Sequence, residues 1–315
     1  MNHDMTRTEG NPLAEDGRPL AEDGRPTRVG WLQVLTAATL WGTTGLIFKA
    51  LGDAGLNAWT MSFLRLALSV PFILATARLS LGRWLAPLTA RGVLVLVGVG
   101  AGMALYQITY VLAIERVGVA ISVLISICGA PVFVAVIAVL FLGERIRFKT
   151  IAALVAAVLG TALLVGFPDS ASVVTDRFWG GVAIAIACAL FQAFYVLAAR
   201  AAGKICHPMH SVGIGFTFGA LMLLPFALHY GYTMSDSAHD WMLLLYLAAV
   251  PTALAQTLFL TGLKTTGAIG GAIASLLEPL VSTVLAVLLL GEQIGPVGYV
   301  GAVTLLAGIF IVQSK

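Results

Sequence analysis

From Trp31 onward the chain alternates between long apolar stretches of similar length and short polar connections that carry Gly, Asp, Arg or Asn. A helix crossing a bilayer needs about 20 mostly apolar residues. Read with that length, the pattern predicts ten spans, near 31–50, 57–78, 92–114, 118–141, 148–167, 179–200, 208–230, 241–263, 267–290 and 295–313. Residues 1–30 break the pattern. They are polar, rich in Gly and Pro, and contain LAEDGRP at 13–19 and again at 20–26. Gly and Pro in both copies exclude a continuous helix, so 1–30 is expected to be a disordered tail. No basic segment leads directly into a short apolar run with a cleavage site, so the first apolar stretch is expected to be a retained span.

The apolar stretches also repeat. Pro131 leads through an apolar run to Leu142-Gly143-Glu144, and Pro279 leads through another to Leu290-Gly291-Glu292, so 279 − 131 and 292 − 144 both equal 148. Gln107 and Gln256 sit 149 apart, each in the third span of its half. A fixed period of this kind marks an internal duplication, with a first repeat over 31–167 and a second over 168–315. Five spans per repeat is an odd number, so the second repeat must cross the membrane in the opposite sense. Inverted repeats place a substrate site near the bilayer midplane between the halves. The expected fold is therefore an all-α polytopic membrane protein: ten transmembrane helices, as an inverted five-plus-five repeat, around a central cavity. Pro71 and Pro225 fall in second spans, Pro131 and Pro279 in fourth spans, and Pro251 alone in the eighth. Each is expected to bend its helix, either curving a cavity wall or shaping packing. Ala152, Ala153, Ala156, Ala157 and Gly160 in the fifth span, with Gly298, Gly301 and Gly308 in the tenth, allow close helix approach. Those two spans are read as scaffold or a dimer face rather than cavity, with a monomer favoured.

Composition agrees with a membrane chain: 59% apolar, 10% charged, mean hydropathy +0.96, against about 25% charged in a soluble domain. The placement of charge says more than the net +3. With the N-terminus inside, fourteen Lys and Arg fall on the cytoplasmic side. Three (Lys49, Arg116, Arg177) fall outside, and Arg65 lies within a span. That bias predicts that both termini are cytoplasmic. Trp31, Trp59, Trp84, Trp179 and Trp241, at span ends, are expected to be interfacial anchors. Cys128, Cys188 and Cys206 lack a CxxC spacing and are read as small packing residues. His207 and His210 are read as solvated loop histidines, not metal ligands.

The candidate chemistry is sparse. An ionisable residue within a span is costly and faces a cavity or a partner. Arg65 suits structural pairing or a substrate carboxylate. Glu278, just before Pro279, suits an ammonium group, a proton, or the backbone of a broken helix. Trp41, Tyr106, Gln107, Tyr110, Gln192, Tyr195, Gln256 and Phe259 also fall within spans. Together they would make an aromatic wall with a few amides, fit for a zwitterion with an apolar side chain; singly, each could bond a neighbouring helix. The Gly-Glu pairs are read as helix terminators.

Trp41-Gly42, Arg65, Pro131 with Leu142-Gly143-Glu144-Arg145, and Glu278-Pro279 with Leu290-Gly291-Glu292 together resemble the drug/metabolite transporter superfamily, EamA branch, over 31–313. Within it the chain is most similar to the YddG-type exporters of aromatic and other amino acids. The resemblance implies a basket of helices whose cavity opens to one side at a time. It also implies export of neutral amino acids from the cytoplasm across a bacterial inner membrane, with the lipid bilayer as surroundings, no cofactor and no nucleic-acid partner. The chain departs from symmetry at Ala130-Pro131, opposite Glu278-Pro279. A broad-specificity drug or metabolite exporter is the main alternative. A phosphorylated substrate would call for more intramembrane cations than Arg65. An intramembrane enzyme is disfavoured because HExxH, GxSxG, CxxC and paired intramembrane Asp are absent.

Overall fold

Several helices start where the sequence supplies a side-chain cap. Thr27 and Asn57 lie in extended conformation and accept, through their side-chain oxygens, the amide N–H three residues on, from Gly30 at 3.0 Å and Thr60 at 2.7 Å. The computed structural model describes residues 27–84, 89–142, 146–166, 176–233, 236–291 and 293–314. The tail duplication, Gly143-Glu144-Arg145 and Glu292 lie outside them.

The described residues are helical, without strands. α1 (Arg28–Trp41) and α2 (Thr44–Asp53) form the first span, and α3 (Ala58–Leu81) the second. α4 (Ala90–Leu142) holds the third and fourth, and α5 (Phe148–Val165) is the fifth. α6 (Asp176–Ala202) and α7 (Pro208–His229) are the sixth and seventh. α8 (Ala238–Leu247), a π-helical turn over Ala248–Leu254, α9 (Ala255–Ser275) and α10 (Leu277–Leu290) carry the eighth and ninth, and α11 (Pro296–Gln313) is the tenth. Nine stretches of described residues are long and apolar enough to cross a membrane, and the one over Ala238–Leu290 is 53 residues long. At 1.5 Å per residue that is about 80 Å of helix, enough for two crossings.

Its reversal is at Gly267, with φ 75° and ψ 168°; the reversal inside α4 is at Gly118, with φ 78° and ψ 171°. The two glycines are 267 − 118 = 149 residues apart, so the duplication extends to the backbone angles. This region of conformational space is essentially reserved for glycine. Gly267→Ala is expected to destabilise the protein by about 1–3 kcal/mol, read as a lower unfolding midpoint in detergent. An unchanged midpoint would show that the turn tolerates a side chain.

The packing is symmetric between halves. α6 lies along α4, the hairpin of spans three and four, while α1 lies along α9 in the hairpin of spans eight and nine; α3 pairs with α7, and α5 with α11. Each first-position span is thus held by the other repeat. α5 and α11 meet backbone to backbone through Gly160, Gly301 and Gly308, which realises the scaffold reading. Their ends nevertheless reach the cavity, at Leu163–Gly166 and Gly295–Gly298, contrary to the expectation that these spans stay clear of it.

Other expectations are corrected. Helix continues through Pro71, Pro131 and Pro225, while Pro251 lies inside the π turn and Pro279 follows Leu276 by three residues. Trp31 and Trp59 are buried. Trp31 packs against Gly270. Trp59 stacks on Tyr230 at 4.6 Å and on Phe226 at 5.5 Å, and its indole N–H donates to Glu115 at 3.1 Å. Both are interior packing residues; Trp84 and Trp179 are exposed as expected. His210 is not solvated: it is buried in the first turn of α7, while His207 caps that helix.

Candidate functional site

Two helix interruptions, one in each half, meet at the centre. The first lies at Gly42–Thr43, between α1 and α2, where Thr43 N–H bonds Leu40 O at 3.2 Å, three residues back instead of four. The second is at Leu276, where the N–H bonds Ile273 O at 3.2 Å in the same way, just before Glu278-Pro279. α2 and α10 therefore each begin inside the bundle, and the residue before each carries no side-chain cap. A Cβ on Gly42 would fall 2.6 Å from Val281 Cβ and 3.1 Å from the Glu278 carbonyl oxygen. Only glycine lets the two interruptions touch.

Around this contact lies a cavity of about 1360 Å³. All ten residues singled out from the sequence line it: Trp41, Arg65, Tyr106, Gln107, Tyr110, Gln192, Tyr195, Gln256, Phe259 and Glu278. The aromatic wall is real. Trp41 and Phe259 pack at 4.9 Å between centroids with planes tilted 59°, and Tyr106 and Tyr110 stack at 5.9 Å, one turn apart on α4. The alternative role of bonding neighbouring helices holds for one pair: Tyr195 O–H donates to Gln256 Oε1 at 2.7 Å, joining α6 to α9.

The remaining polar groups are not used up by the fold. Trp41 Nε1, Thr44 Oγ1, Arg65 Nε and Gln192 Oε1 are the buried side-chain atoms without a hydrogen-bond partner among the described residues. All four belong to residues that line this one cavity. A buried, unpaired polar group costs about 1–3 kcal/mol, and four of them fall on residues around this one cavity. Arg65 sits two turns into α3 with its guanidinium 5.8 Å from the centroid of the Phe48 ring on α2. Among the described residues it makes no ion pair within 4 Å with Glu278, although each lies in the other's electrostatic field. A basic and an acidic side chain thus face one cavity without touching.

Sequence reading missed Thr44, Ser62, Ser275, Ser282 and Thr283, which also line the cavity. Their signal was a hydroxyl within three to five residues of Trp41, Arg65 or Glu278. It is weak because threonine and serine commonly bond the carbonyl one turn back in a helix, as Thr283 does with Pro279 O at 2.8 Å. The cavity reaches the end of the bundle where Lys49, Gly166 and Gly295 lie. At the other end α1 closes on α9: Thr27 bonds Thr265 at 3.2 Å, and a Cβ on Gly262 would fall 2.7 Å from Gly30 O.

Comparison with known proteins agrees with this architecture. A crystal structure of a protein 20% identical in sequence superposes with a TM-score of 0.76, over 90% of this chain and 96% of that one, which speaks for the fold alone. YwfM of Bacillus subtilis is 27% identical over 90% of this chain and 93% of its own length; YicL of Salmonella typhimurium is 29% identical over 91% and 96%. Both bear the name of uncharacterized transporters, YicL of the inner membrane. The profile of the EamA-like transporter family matches twice, over 28–166 and 179–314. With both repeats matched, and with each repeat supplying one of the interrupted helices that enclose the cavity, the chain belongs to the EamA-like transporter family.

Proposed function

We propose that this transporter exports neutral amino acids, aromatic and other apolar ones, from the cytoplasm by alternating access. The observation that carries the reading is the convergence on one cavity of four unpartnered polar atoms, Arg65 Nε among them, with the carboxyl group of Glu278 and the aromatic walls of Trp41–Phe259 and Tyr106–Tyr110. A zwitterion with an apolar side chain matches a cation, a carboxyl group and an aromatic wall in one cavity. With both termini cytoplasmic, as the Lys and Arg distribution suggests, the open end of the cavity faces outward and the Thr27–Thr265 end faces the cytoplasm. That arrangement corresponds to a solute-releasing state of an exporter in a bacterial inner membrane. In this reading the units that rock are the packed groups, α6 on the hairpin of α4 and α1 on the hairpin of α9 and α10, each drawn from both repeats.

One observation favours a second reading. The volume, about 1360 Å³, exceeds the roughly 300–1,000 Å³ usual for a single small-molecule site. That suits a broad-specificity exporter of larger amphipathic solutes.

Purified protein in liposomes distinguishes the two. Phenylalanine, methionine or threonine is expected to cross faster than through empty liposomes. If none does while a larger amphipathic solute does, the broad-specificity reading replaces the amino-acid one.

A further inference from the structure

We propose that the first turn of α2, together with Arg65, is a binding site for the carboxylate group of the solute. This deepens the amino-acid reading and rests on it only for the identity of the rest of the molecule.

The argument begins with the interruption at Gly42–Thr43. Because the regular ladder stops there, α2 (Thr44–Asp53) starts with amide N–H groups that lack helical acceptors, and Thr43 offers no side-chain cap. Its hydroxyl is turned the other way, donating to Leu40 O at 2.8 Å. Those N–H groups and the helix dipole favour an anion at this end. A helix start of this kind is common, so it needs independent support from the surrounding side chains.

Two separate observations supply it. Thr44, the first residue of α2, has a buried hydroxyl with no partner, and Arg65 of α3 has a buried Nε with no partner. Both residues line the cavity. The Arg65 guanidinium lies over Phe48, one turn along α2 from Thr44, so cation, hydroxyl and helix start come from one small region. Gly45 supplies the last condition. It follows Thr44 and lines the cavity, and a Cβ there would fall 3.2 Å from the Ser282 hydroxyl of α10, a further donor at the same place. A guanidinium, a hydroxyl donor and helix-start N–H groups are all donors, and a carboxylate is acceptor-only. No acidic residue lies on α2 before Asp53, which points away to Lys49 at 3.7 Å. The nearest carboxylate across the cavity is Glu278, on the facing start of α10, where it suits the opposite end of a zwitterion.

The full-length purified protein is titrated calorimetrically with two phenylalanine analogues, 3-phenylpropionate (carboxylate without ammonium) and 2-phenylethylamine (ammonium without carboxylate). Phenylalanine flux is measured in parallel in liposomes. Wild type is expected to bind 3-phenylpropionate more tightly than 2-phenylethylamine. Arg65→Gln is expected to weaken 3-phenylpropionate by about tenfold or more, and Thr44→Val by about threefold. Thr44→Val keeps the shape of the side chain and decides the matter if Arg65→Gln fails to fold. The site is overturned if 3-phenylpropionate does not bind, if the amine binds as tightly, or if folded Thr44→Val binds 3-phenylpropionate as wild type does. If 3-phenylpropionate binds and the variants weaken it while phenylalanine does not move, the carboxylate site stands and the amino-acid reading falls.

Discussion

Leucine at Gly301 is expected to leave little folded protein. A Cβ there would lie 2.5 Å from Leu164 N, 2.7 Å from Gly160 O and 2.8 Å from Leu163 C. All three are backbone atoms and cannot rotate aside, so α5 and α11 would have to separate along their length. Each of these helices packs chiefly on the other. In lipid, close packing rather than the hydrophobic effect holds helices together, so nothing compensates for the lost contact. A cost of about 3 kcal/mol or more is a large share of the roughly 5–15 kcal/mol that holds a protein folded. Size-exclusion of detergent-solubilised protein is the readout. Gly301→Leu should give mostly aggregate, while Val303→Leu, on the exposed face of the same helix, should elute as wild type. A monodisperse Gly301→Leu with an unchanged melting temperature would sink the scaffold argument.

Glu278→Gln is expected to abolish most transport while leaving the fold intact. The substitution keeps the shape of the side chain at the start of α10, and with it the contact of the Glu278 carbonyl with Gly42. It removes the one carboxylate facing Arg65 across the cavity. Losing the charged partner of a bound ammonium group costs about 2–5 kcal/mol, so flux should fall about 30-fold or more, with wild-type elution. Flux measured with and without a pH gradient separates the two roles open to this carboxylate. If it docks an ammonium group, the variant is slow under both conditions. If it carries the driving proton, only the gradient-driven component disappears. Wild-type flux in the variant under both conditions would remove Glu278 from the mechanism.

The lining of the cavity was legible in the sequence because lipid leaves so few places for a polar group. A Gln, Tyr or Arg within an apolar span turns inward or pairs, and Gln107, Tyr110 and Arg65 did the first. The duplication was legible too, down to glycines that repeat the same turn at 118 and 267. The interruptions were legible in part. That at Leu276 goes with Pro279, which cannot donate to the Ser275 carbonyl four residues back. That at Gly42–Thr43 has no proline, and the contact that requires its glycine comes from residues more than 230 positions away. Trp31 and Trp59 were misplaced because position at a span end says nothing about which helix lies beside it. Their partners Gly270, Phe226 and Tyr230 come from the far half of the chain.

The mismatch of Ala130 with Glu278 has a consequence for how such a molecule changes. A duplicated chain holds two drafts of every position. Here the draft at 130 stays small, buried and devoted to packing, while its counterpart at 278 carries a carboxyl group into the cavity. One repeat can therefore be rewritten for a new cargo while the other preserves the architecture. For anyone redesigning selectivity, the second repeat near 278 and the first near 44 and 65 are the pages to edit, and the glycine seam between α5 and α11 is the binding to leave alone.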